Sequence, residues 1–295
     1  MTKEKLYEYR ADFLLLTVAI AWGVTFLMVQ EAIKTTPVYS FLFFRFAIAT
    51  IIMFFISYRY LKELNKKVII YGFILATFLF SAFATQTFGL GHTKSSIVAF
   101  LTGLNVIFVP FFAFFIFQDK VRKNVFIASI IAAIGLYMLT MSGSLSFEIG
   151  EILSLICGAL FALQIIYTGK YSRKVNVFLL VLVQFFFVSI YSLIFSFIFD
   201  DVTFNIDFNY SFYKAVLVTA VFATAYAFLI QTYMQQFTTP TKTAIIFSIE
   251  PVSAAIYGYY AGGEVLSSIQ LMGAVLIVVA TLVAELRFKN SDLKL

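Results

Sequence analysis

The chain has 295 residues, of which 62% are apolar and only 12% charged, a balance that excludes an ordinary water-soluble domain. Its mean hydropathy is +0.96. A net charge of +6 would suggest nucleic-acid binding in a soluble protein, but the basic residues cluster between apolar runs, which explains them without nucleic acid. A single cysteine, Cys157, leaves no intrachain disulfide and no cysteine metal cluster, and a single histidine, His92, leaves no histidine-based zinc site.

Ten apolar runs follow one another, each near the ~20 residues a helix needs to cross the hydrocarbon core of a bilayer. They cover roughly 11–33, 38–58, 68–90, 93–117, 124–142, 149–169, 177–199, 211–236, 241–261 and 266–286. The chain is therefore expected to be an all-α membrane protein with no separate soluble domain. Lys3, Lys5 and Arg10 precede the first run, and Ala19-Ile20-Ala21 is similar to a signal-peptidase site. The apolar stretch continues to Val29, too long for a cleaved signal, so helix 1 is expected to be retained.

Helix 1 carries Trp22, the only tryptophan, too deep for an interfacial belt, and Thr25 on the same side. The indole N–H needs a partner, and its ring can stack on a ligand, receive a cation, or serve as a packing spacer. Helix 2 carries Arg45, seven residues in. Snorkelling or pairing with Glu31 is the bland explanation, and binding a substrate carboxylate is the sharper one. Helix 3 carries Gln86, helix 4 Asn105 and Pro110, helix 6 Gln164, helix 8 Gln231 and helix 9 Glu250-Pro251. Glu250 falls near the bilayer midplane. A carboxylate there must face a cavity, pair with a cation or carry a proton, so it reads as a substrate-amine contact, a proton-coupling site or a helix lock. Pro251 removes a helical hydrogen bond near Phe247 and predicts a bend there. The amides Gln86, Asn105, Gln164 and Gln231 either line a cavity or tie helices together.

The two halves repeat each other. Ala82-Phe83-Ala84-Thr85-Gln86-Thr87-Phe88 aligns with Ala227-Phe228-Leu229-Ile230-Gln231-Thr232-Tyr233 at an offset of 145, which also pairs Asn105 with Glu250 and Asp119 with Glu264. Earlier, an offset of 139 pairs Trp22 with Phe161, Thr25 with Gln164 and Arg45 with Gln184. Each half, 11–142 and 149–286, holds five helices. An odd number forces the second copy to insert upside down, and the loop charges agree. The 2–3 loop carries Arg59, Lys62, Lys66 and Lys67, whereas its counterpart, loop 7–8, carries Asp200, Asp201 and Asp207. With both termini cytoplasmic, 17 of the 21 Lys and Arg fall inside, while Lys34, Lys94 and Lys214 fall outside and Arg45 lies within a helix.

The residues Ala21-Trp22-Gly23, Arg45, Pro110, Asp119, Glu250-Pro251 and Gly263-Glu264, in register in both halves, resemble the drug/metabolite transporter superfamily, specifically its EamA-type members. The resemblance covers roughly 11–286. One departure is Gln118-Asp119, where the family usually has Gly-Glu. It implies a cavity between the repeats, lined mainly by helices 1–4 and 6–9, with helices 5 and 10 behind. The small residues Ala128, Ala132 and Gly135 in helix 5, and Gly273, Ala274 and Ala280 in helix 10, independently suit close packing.

The expected function is secondary transport of a small metabolite across a bacterial cytoplasmic (inner) membrane. By resemblance it is an exporter of amino acids or amphipathic compounds, working by alternating access. The alternatives are an uncoupled facilitator or channel of the same fold and an intramembrane enzyme. No G-x-x-x-x-G-K-[S/T] and no H-E-x-x-H occurs, so neither an ATP site of that type nor that zinc site is expected, and no cofactor is implied. Expected substrate contacts are Trp22, Thr25, Gln86, Asn105, Gln164, Gln231 and Glu250, with Glu250 as the proton site and Arg45 as an anion contact. The partners are a small molecule and the lipid bilayer, with monomer and homodimer both open.

Overall fold

The computed structural model describes residues 3–93, 95–118, 123–140, 149–200, 208–262 and 267–285. Asp119, Gly263 and Glu264 of the resemblance lie outside the described residues. The described residues are helical almost throughout. In chain order the elements are α1 (Lys3–Ala32), α2 (Val38–Ser57, continued by a 3-10 turn, Tyr58–Glu63), α3 (Lys66–His92), α4 (Ser95–Gly103), α5 (Asn105–Phe117), α6 (Lys123–Thr140) and α7 (Ile149–Tyr171). There follow α8 (Val177–Phe199), α9 (Tyr210–Ala220), a π-helical segment (Val221–Tyr226), α10 (Ala227–Met234), α11 (Pro240–Phe247), α12 (Ile249–Gly262) and α13 (Ser268–Glu285).

Among the described residues, seven stretches are long and apolar enough to cross a membrane, and α6 and α13 contain shorter apolar helices. Polar caps set several ends. Asn65 accepts from the backbone N–H groups of Lys67 and Val68 at the start of α3, Asn176 from Phe178 at α8, and Asn209 from Phe212 at α9. Thr239 caps α11 with Pro240 in its first turn, where the missing N–H costs nothing.

Three apolar runs that read as continuous helices are interrupted. Between α4 and α5, Leu104 has ψ −5°, and between α11 and α12, Ser248 has ψ −8°. Leu104 N–H reaches Leu101 O at 3.3 Å, an i→i+3 pairing, and Ser248 N–H is shared between Ala244 O and Ile245 O, at 3.1 Å each. Pro251 has no N–H to offer Phe247, which locates the second break beside the bend expected from the sequence. The third interruption is the π segment within 210–234.

The two halves interlock. α1 packs on α12 and α10, whereas α7 packs on α3, α4 and α5. At the first contact a Cβ on Gly23 would collide with Ser253 Oγ and the Glu250 backbone oxygen and stand 2.8 Å from Ala254 N. At the second, a Cβ on Gly158 would stand 2.8 Å from Leu101 O. The first helix of each half is thus seated against the broken helix of the other. Grouped by packing, α1, α2, α9–α10 and α11–α12 form one bundle, and α3, α4–α5, α7 and α8 form the other. The α2–α8 contact joins them, with Phe46 against Phe185 at 5.7 Å. α6 and α13 pack along each other.

Candidate functional site between the bundles

A cavity of about 30 Å³ lies between the two bundles. By the ~10–15 Å³ that one water centre needs, it has room for about two water molecules. α1 contributes Trp22, Thr25, Phe26 and Val29, α2 Arg45, α10 Gln231, α11 Phe247 and α12 Glu250. Facing them are Phe83, Gln86 and Leu90 of α3, Thr102 of α4, Asn105 of α5, and Phe161, Gln164 and Ile165 of α7. All eight residues singled out in the sequence therefore stand on one cavity. No described residue of α6 or α13 lines it.

The breaks place two of these residues. Asn105 is the first residue of α5 and Glu250 the second of α12, each just past its helix interruption. The side-chain oxygen of Asn105 is buried and has no hydrogen-bond partner. Glu250 is 7% exposed, and among the described residues no donor reaches its carboxylate. Burying such groups without partners is costly, so their placement on a cavity rather than in packed apolar surroundings is what physical chemistry requires.

Arg45 departs from the bland sequence reading. It is 3% exposed and turned inward, while Glu31 pairs with Lys34 instead. Arg45 Nε donates to Thr224 Oγ1 at 2.7 Å and its terminal nitrogen to Ala223 O at 3.3 Å. Its guanidinium carbon lies 4.4 Å from the centre of the Phe83 ring, a cation–π contact. The reason lies in the π segment. A π turn disturbs the i→i−4 ladder, so its carbonyls are free to take side-chain donors. Trp22 Nε1 uses the same Ala223 oxygen at 2.8 Å, and its ring packs against Phe228 and Phe247. Arg45 and Glu250 are not ion-paired with each other.

The paired glutamines differ. Gln231 Nε2 donates to Gln164 Oε1 at 3.0 Å and to Gln235 Oε1 at 3.3 Å, and Gln164 Nε2 donates to Thr168 Oγ1 at 3.0 Å. Gln235 Nε2 reaches Ile165 O at 3.0 Å, so this amide chain ties α10 to α7 across the bundle boundary. Gln86 makes a single long bond, 3.5 Å to Thr102 Oγ1. Thr25 bonds back to Trp22 O at 2.8 Å. These residues both line the cavity and tie helices, so the two sequence readings are not exclusive.

Sequence reasoning missed Ala223 and Thr224, because nothing in Val-Phe-Ala-Thr-Ala-Tyr marks a π turn, and it left the aromatic wall of Phe83, Phe161 and Phe247 unassigned. Nor did it single out Lys242, one of the 17 basic residues counted as cytoplasmic. Lys242 is 3% exposed and bonded to Glu8 at 3.0 Å and Asp12 at 2.8 Å, fastening α1 to α11.

The EamA-like transporter family is matched twice, by residues 9–141 and by residues 148–285. An uncharacterized transporter of Archaeoglobus fulgidus is 32% identical over 277 residues, covering 94% of this chain and 86% of that relative. A crystal structure described only as that of a protein has a TM-score of 0.77 at 14% identity, covering 94% of this chain and 96% of the other, a likeness of fold. With a twofold match, apolar helices throughout and a cavity lined by polar and aromatic residues between two bundles, the chain is an integral membrane protein that belongs to the EamA-like transporter family.

Proposed function

We propose that the protein is a secondary transporter, not an enzyme, and exports small amphipathic or zwitterionic metabolites such as amino acids across a bacterial cytoplasmic membrane by alternating access. In this reading it has ten membrane-spanning helices in two inverted repeats, 11–142 and 149–286, with both termini cytoplasmic. The observation that carries it is the lining of the cavity: one guanidinium, Arg45, and one carboxylate, Glu250, not paired with each other, on a wall that faces amides and aromatic rings. Arg45 takes the substrate's carboxylate and Glu250 its amine or a proton. Trp22, Thr25, Gln86, Asn105, Gln164 and Gln231 supply the remaining apolar and hydrogen-bonding contacts. The cavity is smaller than an amino acid, so binding requires the bundles to separate.

Flux in proteoliposomes, with and without an imposed pH gradient, tests this reading. Uphill movement of amino acids that depends on the gradient supports it. Downhill movement alone would make the protein an uncoupled facilitator, and no flux of any zwitterion would remove the proposed substrate class.

A further inference from the structure

The two ends of the molecule are related by the internal repeat, yet they treat the corresponding acid differently. The offset of 139 that pairs Trp22 with Phe161 also pairs Asp12 with Glu151. The offset of 145 pairs Thr238 with Thr93 and Lys242 with Ile97. α11 starts at Pro240 and α4 at Ser95, the same offset, so Lys242 and Ile97 occupy equivalent first-turn positions. At one end Asp12 meets the buried ammonium of Lys242 at 2.8 Å. At the other end Glu151 is 7% exposed, and the position of the lysine is filled by an isoleucine.

Glu151 Oε1 accepts from Thr93 Oγ1 at 2.7 Å, while Oε2 is buried and has no hydrogen-bond partner. No cation among the described residues pairs with it. At the end of α3 the carbonyls of Leu90 and Thr93 both accept from Gln30 Nε2, at 3.1 Å each. The ring of His92 is exposed and its Nδ1 is bonded to Phe88 O at 2.8 Å. The first turn of α7 gives the acid a favourable dipole, but a buried carboxylate needs a full counter-charge.

We propose that Glu151 and Thr93 bind a monovalent alkali cation, Na+ or K+, which takes the place that the Lys242 ammonium fills in the other repeat. The carboxylate and the threonine hydroxyl are hard oxygen ligands, the kind such a cation takes. This site is separate from the cavity and does not depend on what the protein transports.

Thermal unfolding of the full chain in detergent tests it, with NaCl or KCl titrated against N-methyl-D-glucamine chloride at constant ionic strength. A ligand that binds only the folded state raises the Tm in a saturable way, so one of the two ions should do so. The ion that saturates at the lower concentration is the occupant. Glu151→Gln should weaken the response by at least about tenfold, as loss of a ligand does. Ile97→Lys should supply the ammonium internally, raising the Tm in N-methyl-D-glucamine and abolishing the response. That variant keeps the test decisive if Glu151→Gln does not fold. Lys94→Gln should leave the ion response unchanged. Equal Tm in all three salts, an unchanged response in Glu151→Gln, or a response that arises only in Lys94→Gln would each overturn the proposal.

Discussion

The Trp22 indole and the Arg45 guanidinium donate to one acceptor, the carbonyl oxygen of Ala223, at 2.8 and 3.3 Å. The helices α1 and α2 are thereby held to a single irregular turn of the 210–234 helix, at the edge of the cavity. Thr224→Val removes the shorter Arg45 bond without changing side-chain shape. A hydrogen bond to a charged group is worth about 1.5–3 kcal/mol, so the variant should lose that stability in thermal or denaturant unfolding. Arg45→Lys, which cannot reach both acceptors with a planar fork, should lose transport of carboxylate-bearing substrates. Unchanged transport in Arg45→Lys would remove Arg45 from substrate binding.

Gly23→Ala should be among the most damaging small substitutions in the protein. The added methyl group meets backbone atoms of α12, which cannot rotate aside, and overpacking of this kind costs about 1–3 kcal/mol. Gly91→Ala is the internal control, since its Cβ would meet only Ile33 Cδ1, at 4.0 Å. Its Tm should be equal to or slightly above that of the unmodified protein. Equal Tm values for the two variants would contradict the close α1–α12 contact.

Glu250→Gln tests coupling. If Glu250 carries the proton, glutamine mimics the neutral acid, so exchange of substrate should persist while pH-gradient-driven accumulation disappears. Proton-driven accumulation at the normal rate in the variant would exclude Glu250 as the coupling group.

Asn105→Cys, made with Cys157→Ser, should react with a small water-soluble thiol reagent and be protected by whatever compound is carried. Cys157 is buried, and its removal leaves the introduced thiol as the sole reporter. Reaction should be slow, because the cavity holds about two waters and must open first. Complete inertness under turnover conditions would place Asn105 off the pathway.

The inverted topology is checked by labelling single cysteines from outside intact cells. Positions near Lys123 and Lys174 should be protected and positions near Ser144 and Asn205 should label. Ser144 and Asn205 lie outside the described residues, so this experiment tests the charge pattern alone. Labelling of Lys123 and Ser144 positions from the same side would refute the inverted repeat.

Much of the architecture was legible because its signals are local. Apolar runs reported the helices, and polar residues at membrane depth reported the cavity, since lipid tolerates few of them. The helix breaks were harder. Pro251 announced one near Phe247, but Leu104 breaks six residues before Pro110, and no residue in Val221–Tyr226 forbids an α-helix. Arg45 misled for a related reason. Sequence depth shows how far a side chain lies from the surface but not which way it turns, and its acceptors exist only because of the π segment. Lys242 is one more cytoplasmic basic residue in the sequence, because its partners Glu8 and Asp12 lie more than 200 positions away.

The exchange of α1 and α7 between the halves has a consequence for any large motion of this protein. A swing of residues 11–142 as one body against 149–286 would pull α1 out of its seat on α12 and tear α7 from α3. Each rigid partner in an opening movement must then be a hybrid, half its helices drawn from each half of the chain. The family match marks two parts, 9–141 and 148–285, but the cut along which the molecule can part runs across the boundary between them. Neither copy, expressed alone, would carry a complete wall of the cavity.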